Sequence, residues 1–286
     1  MTDFGGAIRK NKKYDLAILG VPFDEKSSYL RGAALGPQAI RAASTGKAHN
    51  PWTETGVNLE EDAVMADLGD VDTSGDVDKT FQRVDEAVSG ILAKNAVPIV
   101  LGGDHSITYW IVRAVARKYK DLDILHFDAH PDLYDNLYQD RLSHACPFAR
   151  IMEDGLARSL VQVGIRTANS DQRGRARKYK VRMIEMKDLR DDLRLEFGNP
   201  LYVSFDFDCL DPAFAPGVSH QVAGGLSTRQ AINLIHTIET PIVGCDLVEL
   251  NPTRDPSGIT ASAGFKIAME LAGMAVKNRK RRRDSR

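Results

Sequence analysis

Acids and histidines collect in four short stretches of the sequence: Gly102-Gly103-Asp104-His105-Ser106, Asp128-Ala129-His130-Pro131-Asp132, Asp206-Phe207-Asp208, and Glu249 at the head of Glu-Leu-Asn-Pro. Alternate residues of an extended segment point the same way, so Asp128, His130 and Asp132 can converge on one point, as can Asp206 and Asp208. Taken singly, each piece has an ordinary explanation: a satisfied histidine, a capping Asp, a tight Gly-Gly turn. Taken together, they place four Asp and two His where water is scarce, and several carboxylates would have to take up protons unless cations neutralised them. Carboxylates and imidazoles without thiolates favour borderline-hard divalent ions, Mn²⁺ above Zn²⁺. Six side chains are too many for one catalytic ion with an open position. They suit two ions about 3.5–4 Å apart that share bridging carboxylates and hold a hydroxide. Four carboxylates against two divalent ions and one hydroxide leave the site at −1, and Glu249 takes it to −2, a balance that favours a cationic substrate.

The stretches follow apolar runs of strand length. Leu16 to Gly20, Val97 to Leu101, Asp123 to Phe127, Leu160 to Val163, Tyr202 to Phe205 and Ile242 to Val248 are continuously apolar rather than alternating, which suggests parallel strands covered on both faces. Helical spacing lies between them. Phe81, Val84, Val88, Ile91 and Leu92 form one stripe within Lys79 to Asn95, and Ser106 to Lys120 has a similar pattern. Pro37 opens a helix over Gln38 to Ala43, Ser227-Thr228 starts one through Ile238, and Ile259 to Val276 reads as the last. The alternation predicts a three-layer α/β/α fold with a mainly parallel central sheet, in a single domain over residues 1–286. Residues 1–13 read as an N-terminal extension and 277–286 as a basic tail. Sheets of this kind carry their chemistry just beyond the carboxyl ends of the strands, where these motifs fall.

Composition narrows the class. The chain has 286 residues, with 38 Lys+Arg against 39 Asp+Glu, so neither a bulk nucleic-acid binder nor a disordered chain is expected. No apolar run of membrane-spanning length occurs, and the first residues lack the apolar core of a secretory signal. Cys146, Cys209 and Cys245 stand far apart with no CxxC, which points to a reduced compartment, the cytoplasm. Cys146 and Cys209 are expected to be small buried hydrophobes rather than ligands.

The motifs GGDHS, DAHPD, SFDFDCLDP and DLVELNP, in this order, resemble those of the ureohydrolases, the arginases, agmatinases and their relatives. The resemblance runs from about Tyr14 to Gly273 and takes in GVPFD (Gly20 to Asp24), GPQAIR (Gly36 to Arg41) and VGIR (Val163 to Arg166). The wording of Asp128 to Glu153 looks most like plant-type arginases. The resemblance implies an arginase-like fold and two Mn²⁺ per subunit. One ion would be held by His105, Asp128, Asp132 and Asp206, the other by Asp128, His130, Asp206 and Asp208. It further implies that Asp132 passes a proton to the leaving amine, that Glu249 grips the substrate guanidinium, and that His144 at the pocket rim shuttles protons. Trimers or hexamers are implied too.

A guanidinium stays charged and resonance-stabilised, so its attack needs a strong nucleophile, an orienting carboxylate and a general acid for the departing nitrogen. The substrate's far end is expected on Asn136 and Arg141 in the loop Tyr134 to Ser143, with Arg141 a candidate for an α-carboxylate, and on Asn169. Thr167-Ala168-Asn169-Ser170 lacks the acids with which animal-type arginases hold an α-amino group. His144-Ala145-Cys146 departs from the His-Gly-Thr common in agmatinases. Arginine is therefore favoured over agmatine, with guanidinobutyrate and other ω-guanidino acids open. A binuclear phosphoesterase is disfavoured because a phosphate dianion would be repelled, and a single-Zn²⁺ deacetylase-like or non-catalytic relative would lack ligands that are all present here.

Overall fold

The computed structural model describes residues 4–5, 13–44 and 50–284, with side chains to residue 280. Eight strands form one sheet in the order β2-β1-β3-β8-β7-β4-β5-β6. They are β1 (Leu16–Gly20), β2 (Met65–Asp70), β3 (Val97–Leu101), β4 (Asp123–Phe127), β5 (Ser159–Ile165), β6 (Arg182–Glu185), β7 (Leu201–Asp206) and β8 (Ile242–Val248). Every pairing is parallel. The helices are α1 (Gly36–Ala43), α2 (Val77–Ala93), α3 (Ile107–Lys118), α4 (Pro147–Glu153), α5 (Ser170–Tyr179), α6 (Thr228–His236) and α7 (Ile259–Asp284).

Successive strand residues point to opposite faces, and the core divides accordingly. Leu16, Ile18, Leu125 and Phe127 pack with Ile40, Ile235 and Ile267 from α1, α6 and α7. Ala17, Leu19, Val100 and Ile124 pack with Phe81, Val88, Ile111 and Phe148 from α2, α3 and α4. This is the expected three-layer arrangement. The six strands and five helices read from periodicity are all present. The strands without an apolar signal are β2 and β6, and both are sheet edges. Half of β2 (MADLGD) and all of β6 (RMIE) retain solvent contact, so neither needs the continuous apolar run that marks a strand covered on both faces. Two short helices also escaped the pattern. α5 (SDQRGRARKY) buries little but Gln172 and Ala176, and is set by a capping box between Asn169 and Gln172.

The basic tail is corrected at its near end. α7 runs through it to Asp284, and the Asn278 side chain donates to the carbonyls of Ile238 and Thr240, both at 2.9 Å. The remainder of the tail and most of the N-terminal extension lie outside the described residues. By length and composition Ile259–Lys280 could cross a membrane, yet most of it is buried against the rest of this fold, where it serves as a core helix.

β3, β8, β7 and β4 are the four central strands, and each carries one of the motifs at its carboxyl end. The chain passes from β3 to β4 and leaves room for two strands, which β8 and β7 fill later. The crevice of a parallel sheet opens at such a point. Backbones crowd there: a Cβ on Gly103 would lie 1.8 Å from the Phe23 carbonyl oxygen. Gly103→Ala is expected to force that loop apart and cost about 1–3 kcal/mol, read as a lowered midpoint in thermal unfolding. An unchanged midpoint would mean that the two backbones can separate freely.

Candidate active site

The four strand ends bring the predicted ligands together. His105, at the entry to α3, points Nδ1 at three carboxylates: Asp132 Oδ2 at 3.1 Å, Asp206 Oδ2 at 3.2 Å and Asp128 Oδ2 at 3.3 Å. On the other side, His130 Nδ1 lies 2.8 Å from Asp208 Oδ2 and 3.4 Å from Asp128 Oδ1. Asp128 therefore faces both imidazoles with different oxygens. Asp128, Asp132, Asp206, Asp208 and His105 are buried, while His130 keeps some exposure toward a cavity of about 280 Å³.

Polar groups behind the ligands determine which ring atoms are available. Asp246 is fully buried and accepts from the hydroxyls of Ser204 (2.6 Å), Tyr202 (2.6 Å) and Thr108 (2.8 Å). Because the one hydroxyl proton of Ser204 goes to Asp246, Ser204 Oγ must accept from His105 Nε2 at 2.9 Å. That leaves the His105 Nδ1 lone pair aimed at three carboxylates, and Nδ1 has no acceptable hydrogen-bond partner. An orphaned buried nitrogen among acids calls for a cation, and the donor set of imidazole and carboxylate fits a divalent one.

The electrostatics agree. Burial, then the charges of Asp208 and Asp128, push the Asp206 carboxyl well above its ordinary value, and burial and Asp128 raise Asp208 to about 6. Burial opposes charge on His105 and His130, yet the surrounding Asp carboxylates lift both rings well above the usual imidazole range. Protons collect where a metal would otherwise sit.

Glu249 accepts at Oε1 from the His105 backbone N–H (2.9 Å) and from His144 Nδ1 (2.8 Å). Its Oε2 is left to the cavity, which Glu249 lines. The Ser28 N–H meets His144 Nε2 at 3.1 Å, so the neutral form of the ring carries its proton on Nδ1. Burial also opposes charge on this ring, while Glu249 pulls it up to about 9. Asp132 (φ 49) and Glu249 (φ 65) are both left-handed. Strain of this kind in non-glycine residues concentrates at sites whose geometry the fold dictates.

Three expected substrate contacts are corrected. Arg141 pairs with Asp135 at 3.0 Å and Glu153 at 2.7 Å, and is not among the residues lining the cavity. Two acids outside the cavity hold it. Asn136 is exposed and also off the cavity wall. Asn169 caps α5 and donates from Nδ2 to the Tyr134 hydroxyl at 2.8 Å, so it touches the wall without lining it. Cys146 and Cys209 are buried free thiols, as expected.

Several residues of the site were not read from the sequence. His126 Nε2 lies 2.8 Å from Asp128 Oδ2. Gln162 Nε2 donates to the Pro131 carbonyl and to His126 Nδ1, so His126 is a donor to Asp128 and not a ligand. Gln162, His126, Ser204 and Asp246 sit side by side in register across β5, β4, β7 and β8. Each is a polar residue inside an otherwise apolar strand, a signal that could have exposed them. Arg166 of the VGIR motif donates to the carbonyls of Asp208 (2.6 Å), Val222 (2.6 Å) and Gly164 (3.0 Å), and so braces the loop that presents Asp208.

With this geometry in hand, the comparisons are specific. The Arginase family model matches residues 14–273, and the chain belongs to that family. It is 43% identical over 93% of its length to "Arginase 1, mitochondrial" of Arabidopsis thaliana, covering 82% of that protein. It is 37% identical over 90% of its length to "Guanidino acid hydrolase, mitochondrial" of Homo sapiens, covering 77%. The solved arginase from Medicago truncatula superposes with a TM-score of 0.86 at 43% identity, over 92% of this chain and 88% of that one. The chain is an arginase-family hydrolase with its closeness to plant arginases visible in identity as in motif wording. The cytoplasmic expectation is overturned by the mitochondrial names of these relatives. Widely spaced cysteines carry no signal that distinguishes one reducing compartment from another.

Two outcomes are expected. Ser204→Ala frees the His105 tautomer and should weaken metal affinity about 10–100-fold in chelator competition; undiminished affinity would remove the argument from Ser204. Because metal and protons compete for Asp208, whose carboxyl is raised to about 6, bound metal should fall as pH drops through about 6. Equilibrium dialysis with elemental analysis checks this, and equal metal content on both sides of that pH would contradict it.

Proposed function

We propose that the chain is a binuclear manganese ureohydrolase that cleaves L-arginine to ornithine and urea, built as one ureohydrolase unit. The observation that carries the reading is the cavity lining. Asp132, Asp206, Asp208 and Glu249 converge on it, and no Lys or Arg is among the lining residues. A pocket this acidic, even with two divalent ions at its floor, selects a cation.

His105, Asp128, Asp132 and Asp206 would hold one ion, and Asp128, His130, Asp206 and Asp208 the other, so that Asp128 and Asp206 would serve in both sets. When bound, two such ions acidify water so that a nucleophile is available near neutral pH. Glu249 orients the planar guanidinium through Oε2, while its Oε1 is pinned by His105 N–H and His144. Asp132, which lines the cavity with its Oδ2 3.1 Å from His105 Nδ1, carries the proton to the departing nitrogen, a general-acid step. His144, held between Ser28 and Glu249, exchanges that proton with the cavity. Trimeric or hexameric association belongs to the same reading.

A second reading, hydrolysis of an ω-guanidino acid without an α-amino group, is favoured by one observation. Thr167 is the cavity-lining residue of the Thr167 to Ser170 segment, and that segment offers no carboxylate to an ammonium.

The deciding assay is urea release by Mn²⁺-loaded protein across arginine, agmatine, guanidinobutyrate and guanidine. Urea from none of them would end the proposal. Asp128→Asn should nearly abolish turnover and lower metal content, since a shared carboxylate is lost; full activity would refute the ligand assignment. Glu249→Gln should keep both metals while kcat/KM drops by about 100-fold or more; loss of metal would show that Glu249 has been given the wrong role.

A further inference from the structure

Besides the acids, the cavity wall carries neutral polar groups, and most of their hydrogens are already spent. Thr167 Oγ1 donates to the Ala129 carbonyl at 3.0 Å, and Ser219 Oγ donates to the Leu30 carbonyl at 2.9 Å. Ser28 N–H and Oγ both meet His144 Nε2. His220 lies on the histidine side of the cavity, its ring 5.4 Å from that of His144 and 5.9 Å from that of His130. Two lining residues bonded to Asn169 also keep hydrogens unspent.

Gln172 is 2% exposed, and it lines the cavity. Its amide orientation is determined by Asn169. The Asn169 backbone N–H can only donate, and the atom it meets at 3.2 Å is therefore Gln172 Oε1. The Nε2 amide group has no protein partner among the described residues, so a nearly buried donor with two hydrogens is presented to the cavity. Tyr134 also lines the cavity, and its hydroxyl oxygen accepts from Asn169 Nδ2 at 2.8 Å. The Tyr134 O–H hydrogen is thereby left unspent. One residue, Asn169, orients both donors, through its N–H on one side and its carboxamide on the other.

We infer that Gln172 and Tyr134, set by Asn169, form the subsite that receives the far-end carboxylate of a guanidino acid, and that this subsite selects such acids over substrates with an ammonium tail. The inference deepens the ureohydrolase reading and rests on it. The cavity then has two ends of opposite demand. Glu249 Oε2 and the acids beside it seek a cation, and Gln172 Nε2–H₂ with Tyr134 O–H seek an acceptor. An ammonium at the outer end would set donors against donors, leaving the buried amide unpaired, which a site of this kind rejects strongly. Arginine meets both ends with its guanidinium and α-carboxylate, and guanidinobutyrate does so without an α-amino group. Arg141, the candidate for the carboxylate in the sequence, is held outside the cavity by Asp135 and Glu153.

The test compares kcat/KM for guanidinobutyrate, arginine and agmatine in the Mn²⁺-loaded full chain, in the wild type, Gln172→Glu and Tyr134→Phe. Gln172→Glu keeps an oxygen for the Asn169 N–H, so the capping box survives and the variant folds. The wild type should prefer guanidinobutyrate and arginine to agmatine by about 10-fold or more. Gln172→Glu should shift the guanidinobutyrate-to-agmatine ratio toward agmatine by about 10–100-fold, and Tyr134→Phe by about 10-fold, mainly through KM. Asn169→Ser, which keeps the helix cap and drops Nδ2, should raise KM for guanidinobutyrate while kcat holds. Urea release with ratios unchanged in both Gln172→Glu and Tyr134→Phe overturns the subsite and leaves the ureohydrolase reading standing. Absence of urea from every compound overturns both.

Discussion

Like charge packed out of water is the constraint on which the rest of this structure turns. Asp128, Asp132, Asp206 and Asp208 meet at the carboxyl edge of a sheet, and the His105 Nδ1 lone pair faces three of them within 3.1–3.3 Å. Among the described residues, no Lys or Arg lines the cavity. The fold therefore carries a built-in demand for cations, first at its floor and then, through Glu249, in what enters from solvent. Family membership and electrostatics point the same way here for independent reasons.

Holding repelling groups in place requires support from behind, and the sheet supplies it in one row. Gln162, His126, Ser204 and Asp246 are neighbours by register on four adjacent strands. Gln162 turns His126 so that it donates to Asp128, and Asp246 turns Ser204 so that it accepts from His105. The row costs the core some apolar area. In return the tautomer of the His105 imidazole and the orientation of the Asp128 carboxylate are settled in the fold itself, and partners of this kind behind a ligand set govern metal affinity almost as strongly as the ligands do. Phe148 seals the row by stacking on His126 at 3.8 Å between ring centroids.

The loops above are locked with equal economy. Asn251 donates to the Arg31 carbonyl and to Ser219, and Ser219 to the Leu30 carbonyl, so three segments distant in sequence close one wall. Asn169 plays the same part opposite, tying α5 to Tyr134 while its own side chain stays off the cavity. Preorganisation of this kind lets neutral groups discriminate between substrates, because a misplaced or unpaired donor cannot relax.

Much of this protein was legible in the chain itself. The six central strands, the parallel sheet, the acid and histidine clusters and their need for cations follow from local spacing and from the cost of burying charge, and both are properties of short segments. The edge strands β2 and β6 were silent because an uncovered strand need not be apolar, and α5 because a capping box rather than an apolar stripe sets it. Three matters belonged to the tertiary structure alone. Arg141 and Asn136 in one loop, and Asn169 after the VGIR strand, had the chemistry of substrate contacts, but which way such a side chain turns depends on partners elsewhere, here Asp135 and Glu153 for Arg141. Single polar residues in apolar strands hinted at the supporting row, but their pairing was decided by register between strands, which joins Gln162 to His126, and Ser204 to Asp246, across gaps of 36 and 42 residues. The unspent donors of Tyr134 and Gln172 emerged only through Asn169, which bonds to both. Spacing along a chain determines what chemistry is possible; which donors remain unspent is decided when every other hydrogen bond has been made.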